Sequence, residues 1–324
     1  MNIKNILNKS TAELANKGIP TPELDARILL LGAIKKESVF VFSHPEYIIT
    51  NSEYSRFRSY IRRRKKGEPV AYILGQKEFY GNNFIVNKNV LIPRPETEWL
   101  VEQSVAFLQN KESRIKNYGK FNVLDIGTGS GCIIISIVKN LQTINYQLST
   151  INYSASDLSQ KAIRIARKNS KLNNAKNIKF YFSDLFSNRF LNKKFDLIIA
   201  NLPYVPRSAR IQNTVYRTQQ SNSHPEHIRQ AQCKLREGSS EAIFDSVAFE
   251  PKDAIFASDN GMAIIKKFLI EAKTRVNEGG MILLEADCRN AKKILKFAKQ
   301  HYPSAKIKLE KDLAGLDRYI IIKK

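Results

Sequence analysis

The chain has 324 residues, 43% of them apolar, with 53 Lys and Arg against 30 Asp and Glu and a formal net charge of +23. That length exceeds what one hydrophobic core usually serves, so two domains are expected; no stretch approaches the roughly 18 uncharged apolar residues of a membrane span, and no apolar leader is seen at the N-terminus. Three scattered cysteines form neither a disulfide framework nor a zinc spacing, and the four histidines offer no metal pattern, so a cytoplasmic, metal-free protein is expected.

The first 70 residues read as helices. Thr21-Pro22-Glu23-Leu24 places an N-cap threonine before a proline at the first helical position. Leu24, Ile28 and Leu31 follow at helical spacing, with Leu29 and Leu30 widening the stripe. A second helix, Ser52 to Lys66, ends at Gly67 and Pro69. It carries Arg56, Arg58, Arg62, Arg63, Arg64, Lys65 and Lys66, with Phe57 and Tyr60 interleaved. This density favours contact with an anion, which implies proximity to RNA or the ribosome. The competing reading is a solvated surface in a Lys-, Asn- and Ile-rich chain. From Glu78 to Val90 two β-like runs flank Gly81-Asn82-Asn83, which predicts a hairpin. Ile92-Pro93-Arg94-Pro95 then breaks the chain before a helix from about Glu96 to Gln109.

From Phe121 onward strands alternate with helices. Strands are expected at 121–126, 151–157, 178–183 and 195–200, and helices at 131–140 and 159–173. The alternation argues for a Rossmann-like α/β fold, a parallel sheet with crossover helices. Between Arg207 and about Ser240 the pattern lapses into polar, basic and Gln-rich sequence. A helix near 260–276, a strand at 281–285, a helix near 290–301 and strands near 305–310 and 318–323 complete the domain.

The chemistry concentrates at the strand ends. The strand Asn122-Val123-Leu124-Asp125-Ile126 runs into Gly127-Thr128-Gly129-Ser130-Gly131. Alternating glycines at such a turn let the backbone approach a ligand, with a helix N-terminus aimed at it. The nicotinamide-type fingerprint needs its third glycine one position later, where Cys132 stands. Asp125 is placed to meet a positively charged amino group. Asp157 ends the next strand, where a carboxylate accepts ribose hydroxyls, and Asp184 follows the third, toward an adenine. Each aspartate read alone is a helix cap; three in order at successive strand ends exceed what capping explains. Asn201-Leu202-Pro203-Tyr204 then closes the apolar run Phe195–Ala200, at the end of an open sheet where ligands bind. A carboxamide, a backbone carbonyl and an aromatic face suit a planar amide or amine nitrogen. Together with the glycine loop, this is the arrangement of S-adenosylmethionine-dependent methyltransferases acting on such nitrogens.

Over nearly its whole length the sequence resembles the release factor glutamine methyltransferases (PrmC/HemK type). The resemblance is carried by Pro22–Ala26, Leu74–Gly81, Val90–Glu98, Asp125–Gly131, Asn201–Tyr204, Phe249-Glu250-Pro251 and Asp312–Arg318. It implies a helical substrate-recognition domain at 1–74, a hairpin linker at 75–95 and a methyltransferase domain at 96–324. It also implies methylation of the side-chain amide in the Gly-Gly-Gln loop of peptide chain release factors. Gly127–Gly131, Asp157, Leu185 and Asn201 would line the cofactor pocket, and Asn201, Leu202, Pro203 and Tyr204 would contact the glutamine. Three departures stand out. Leu202 replaces the family's usual proline, keeping the carbonyl but losing the fixed φ. Glu285-Ala286-Asp287 replaces Glu-x-Gly, and about 207–240 is an insertion expected to dock the acceptor. A ribosomal-protein glutamine or an exocyclic amine of RNA or DNA remains open as acceptor.

Overall fold

In the computed structural model, residues 2–111, 120–144, 151–203, 205–206, 249–251, 256–257 and 262–324 are described. The expected insertion at 207–240 and Tyr204 lie outside them. The chain divides into two units, one running up to Gln76 and a second beginning at Lys77.

The first unit is helical: α1 (Ile3–Ala15), α2 (Pro22–Ile34), α3 (Ser38–Ser43), α4 (Asn51–Arg64) and α5 (Val70–Leu74). A capping box starts α4, Thr50 and Glu53 exchanging side-chain and backbone hydrogen bonds. Two expectations need correction here. Thr21 sits at the N-cap of α2, but its hydroxyl donates to Asp25 at 3.0 Å and caps nothing. The buried face of α2 is Ala26, Leu29, Leu30, Ala33 and Ile34, whereas Leu24 is 44% exposed. Both stripes have helical spacing, and the core of the helical unit closes over the second, with Leu29 and Leu30 common to the expected stripe and the buried face. Gly32 lies so close to Leu74 that an added Cβ would sit 2.4 Å from its Cδ2.

The basic stretch of α4 is largely committed within this unit. Arg56 donates to the Ala33 carbonyl at 2.6 Å. Arg58 and Lys65 grip Glu13 at 2.7 and 3.2 Å, Arg63 pairs with Glu68 at 2.5 Å, and Arg64 pairs with Asp25 at 2.7 Å. Contact with RNA through this cluster is therefore not supported, because Arg56, Arg58, Arg63, Arg64 and Lys65 already have acceptors, and Arg62 and Lys66 alone stand exposed beside them.

The second unit opens with a hairpin, β1 (Gln76–Phe79) and β2 (Asn82–Ile85). Its turn residues are Tyr80 (φ +50°) and Gly81 (φ +69°), one position earlier than the glycine-asparagine signal suggested. Two successive positive φ values match the twist of the flanking strands. After α6 (Glu98–Asn110) come β3 (Phe121–Ile126), α7 (Cys132–Thr143), β4 (Ile151–Asp157), α8 (Gln160–Leu172), β5 (Ile178–Phe182) and β6 (Phe195–Asn201). Short β7 (Val205–Pro206) and β8 (Phe256–Ala257) form a parallel two-residue ladder that the sequence did not announce. Then follow α9 (Ala263–Lys273), β9 (Val276–Glu285), α10 (Ala291–His301), β10 (Lys306–Lys311) and β11 (Asp317–Lys323).

The main sheet has the order β10-β11-β9-β6-β3-β4-β5, with only β11 running against the direction of the others. Strand residues alternate between two cores. Val123, Leu197, Ile199 and Leu283 face α6 and α7, whereas Leu124, Ile198, Ala200 and Leu284 face α9 and α10. A sheet covered on both faces needs continuous apolar runs, which explains why these strands stood out. β9 begins earlier than expected because Asn277-Glu278-Gly279-Gly280 reads as a turn yet continues the strand. Gly280 fits where an added Cβ would lie 2.8 Å from the Asn277 carbonyl and 3.0 Å from that of Asp196. Among the described residues no helix is long and apolar enough to cross a membrane, and no group of side chains suits a metal ion. Cys132 is a free buried thiol and Cys288 is disulfide-bonded, a pairing the spacing did not signal.

Candidate active site

β3 pairs with β4 on one side and β6 on the other, so the chain reverses its direction of winding at β3. Ligands bind outside the carboxyl ends of strands at such a switch point. There the glycine loop after β3 and Asn201 at the end of β6 come together. Gly127 (φ +73°) and Gly131 (φ +82°) adopt backbone that side chains resist. At Gly131 a Cβ would also lie 2.8 Å from Ile135 Cδ1 and 3.2 Å from Ala166 Cβ, so glycine lets α7 and α8 approach. The loop is pinned by Gly127 and Thr128 N–H groups donating to the Ser156 carbonyl, both at 2.9 Å. From behind, fully buried Asn169 of α8 donates to the Ser130 carbonyl at 2.8 Å. Its side-chain oxygen accepts the Ile85 N–H at 2.7 Å, tying the hairpin to the loop.

Asp125 is wholly buried beneath the loop, and its Oδ2 accepts from Thr128 at 2.6 Å. Its Oδ1 has no hydrogen-bond partner. Burial pushes this carboxyl up to about 7, with the Thr128 bond and the backbone N–H of Ile134 opposing and the charge of Asp157 adding to the rise. Asp157 accepts the Gly129 N–H at 2.9 Å and the Ser159 N–H at 2.8 Å. Burial raises its pKa while those two bonds lower it. Asp157 thus reaches toward both the loop and the start of α8, though the Ser159 hydroxyl supplies the helix cap, accepting from Ala162 at 3.2 Å. Each carboxylate oxygen keeps a further lone pair for a ligand. Asp184 is half-exposed and paired with Lys267 at 2.7 Å, and Leu185 beside it is buried with φ +48°. Leu158 and Phe182, at the ends of β4 and β5, are 62% and 50% exposed, apolar faces the motif reading overlooked.

Leu202 is buried, and its Cδ2 lies 3.0 Å from where a Cβ on Gly127 would stand. Packing against the glycine loop therefore restrains this position in place of a proline ring. Pro203 is half-buried. The Asn201 carboxamide nitrogen donates to Thr97 Oγ1 at 3.1 Å and to Glu285 Oε2 at 3.0 Å. The Thr97 hydroxyl in turn donates to the same Glu285 oxygen at 2.8 Å. Thr97 and Glu285 are buried and distant in sequence from Asn201. Their only sequence signals were the Arg-Pro-Glu-Thr-Glu stretch and the acidic residue ending β9. Arg318, 3.8 Å from Glu285 Oε1, also donates to Asp312 at 2.9 Å. Nearby, the buried carboxylate of Glu250 is gripped by Arg94 at 2.6 Å; burial raises its pKa and Arg94 lowers it.

Residues 5–75 match the PrmC N-terminal domain, and residues 119–313 match a methyltransferase domain. The release factor glutamine methyltransferase of Leptospira interrogans is 33% identical over 99% of this chain and 97% of its own length. That of Coxiella burnetii is 33% identical over 94% of this chain and 92% of its own. The chain belongs to the release factor glutamine methyltransferase family. A third such methyltransferase, from Koribacter versatilis, is 30% identical over 100% of this chain and 99% of its own length. As a family member the chain is a methyltransferase, and its glycine loop and Asn201 occupy the switch point of the Rossmann-like sheet.

Proposed function

We propose that this chain transfers the methyl group of S-adenosylmethionine to the side-chain amide nitrogen of the glutamine in the Gly-Gly-Gln loop of peptide chain release factors. The observation that carries the reading is the Asn201 carboxamide beside the glycine loop, held by its nitrogen end so that Oδ1 remains for an acceptor. The donor set fits the cofactor. Asp125 Oδ1 is a buried acceptor without a partner, suited to the ammonium of a methionine moiety. Asp157 has lone pairs left for ribose hydroxyls. Leu158, Phe182 and Leu185 supply apolar surface for an adenine, and Gly129 presents backbone with nothing but the Gly127 carbonyl within 4.0 Å of a Cβ placed there. When bound, S-adenosylmethionine supplies a methyl group on a positively charged sulfur, which keeps the electron pair of the broken carbon–sulfur bond.

A primary amide nitrogen is a poor nucleophile because its lone pair is delocalised into the carbonyl. Asn201 Oδ1 and the Leu202 carbonyl accept hydrogen bonds from the glutamine NH2, which fixes the nitrogen and favours growing positive charge on it. Pro203 packs against the amide plane. Positioning and electrostatics then carry the rate, and the proton shed by the methylated nitrogen goes to water. The internal pairing of the α4 arginines argues against a nucleic-acid acceptor.

The test is incubation with methyl-labelled S-adenosylmethionine and, in parallel, release factor, ribosomal protein and RNA. Label should appear on release factor glutamine, and label on RNA alone would overturn the reading. Asn201→Ala should lower turnover about a hundredfold or more while leaving S-adenosylhomocysteine affinity nearly intact.

A further inference from the structure

We infer that Thr97 and Glu285 are positioning residues that set which end of the Asn201 side chain meets the acceptor. The inference rests on the reading of Asn201 as the group that contacts the glutamine amide.

The three side chains form a closed triangle with edges of 3.1, 3.0 and 2.8 Å. A carboxamide has two ends of nearly equal shape and opposite hydrogen-bonding character, so packing alone does not orient it. An ionised carboxylate only accepts, and it therefore selects the nitrogen. The Thr97 hydroxyl uses its single proton on Glu285, which leaves its oxygen to accept from Asn201. Reversing the carboxamide would set Oδ1 against a carboxylate and an oxygen whose proton points elsewhere. With the nitrogen held on this side, Oδ1 is turned the other way.

The supports of the triangle are built in. Thr97 ends the single turn Pro95–Thr97. That turn is held by the Tyr319 hydroxyl donating to the Glu96 carbonyl at 2.7 Å, while the Tyr319 ring stacks on Trp99 at 4.1 Å. Glu285 is 1% exposed, and burying its charge needs a counter-ion. Arg318 supplies it, and Asp312 orients Arg318 while accepting the Ala314 and Leu316 N–H groups, both at 2.9 Å. The Arg-Pro-Glu-Thr-Glu and Asp-Leu-Ala-Gly-Leu-Asp-Arg stretches, far apart in sequence, thus converge on one carboxamide.

The experiment compares Thr97→Val, Thr97→Ser, Glu285→Gln, Asn201→Ala and the Thr97→Val/Asn201→Ala double variant in the full chain. Readouts are kcat, KM for release factor, S-adenosylhomocysteine affinity by calorimetry, and the NMR signals of the Asn201 NH2, identified by their loss in Asn201→Ala. Thr97→Val should lower kcat about tenfold, as removal of a neutral hydrogen bond does at the upper end of its range. KM and cofactor-analogue affinity should stay within about twofold. Thr97→Ser, which keeps the hydroxyl, should restore most of the rate. Glu285→Gln should cost about 10- to 100-fold in kcat, since a charged acceptor is lost. In the Asn201→Ala background Thr97→Val should add less than about twofold, because the two act as one unit. In Thr97→Val the Asn201 NH2 protons should move upfield and exchange faster with water. If Thr97→Val does not fold, Glu285→Gln carries the same comparison. The inference is overturned if these variants keep parental kcat while Asn201→Ala loses turnover, and the reading of Asn201 then stands. If Asn201→Ala itself keeps turnover, that reading falls and the inference with it.

Discussion

Replacing Asp157 with alanine separates a cofactor ligand from a structural brace. The carboxylate holds the Gly129 N–H at 2.9 Å and the Ser159 N–H at 2.8 Å, so the substitution leaves two backbone donors without acceptors. Hydrogen bonds to a charged group contribute about 1.5–3 kcal/mol each. Asp157 is only partly buried, and water recovers part of the loss, giving a net cost of about 1–3 kcal/mol. For a domain of this size each kcal/mol lowers Tm by about 2–4 °C. That much is expected of a brace alone. A ligand role adds the loss of an ionised acceptor to the ribose hydroxyls and the release of Gly129, which predicts at least tenfold weaker S-adenosylhomocysteine binding, equivalent to about 1.4 kcal/mol. Calorimetric titration gives the affinity and a thermal melt gives the stability. Asp157→Asn, which retains one acceptor but turns an NH2 toward one of the two donors, should fall between the parent and the alanine variant. A lowered Tm with unchanged affinity would refute the ligand role.

Asp125 predicts a pH dependence. Its folded pKa of about 7 lies above the ordinary 3.8, so the folded state holds a proton that the unfolded state has lost; the associated stability is present below about pH 4 and is lost as pH rises through 7. An incoming ammonium favours the carboxylate, so S-adenosylhomocysteine affinity should rise between pH 6 and 8 with proton release, measured by calorimetry in buffers of different ionisation enthalpy. Asp125→Asn should abolish that dependence, and a flat parental profile would rule out the contact. Gly127→Ala imposes about 1–2 kcal/mol of left-handed strain and brings a Cβ to 3.0 Å from Leu202 Cδ2. Cofactor-analogue affinity should drop, and adding Leu202→Ala should recover only part of it. Asp25→Ala leaves the 10% exposed Arg64 side chain with the Gly67 and Glu68 carbonyls but without its counter-charge, and should destabilise the helical unit by about 3–5 kcal/mol. Limited proteolysis should then cut within residues 2–76 while S-adenosylhomocysteine binding persists; equal protection of parent and variant would contradict it.

What the sequence determined by itself is local in character. Continuous apolar runs marked β6 and the end of β9, because a sheet covered on both faces requires them. Gly127, Gly129 and Gly131 marked the loop, because positive φ selects glycine wherever the chain must turn so tightly. Strand order in the sequence also announced which ends would carry Asp125, Asp157 and Asn201. Where two patterns had equal periodicity, the sequence was silent: Leu24–Ile28–Leu31 and Ala26–Leu29–Leu30–Ala33 are both helical stripes, and only packing against the rest of the helical unit put the second inside. The arginines of α4 looked like an anion surface until Glu13, Asp25 and Glu68, remote or beyond the helix end, proved to be their partners. The Thr97–Glu285–Asn201 triangle was equally illegible. Its members come from the turn before α6 and from two strands, and hydrogen-bond partners so far apart in sequence are matched only by three-dimensional proximity, which no periodicity or spacing encodes.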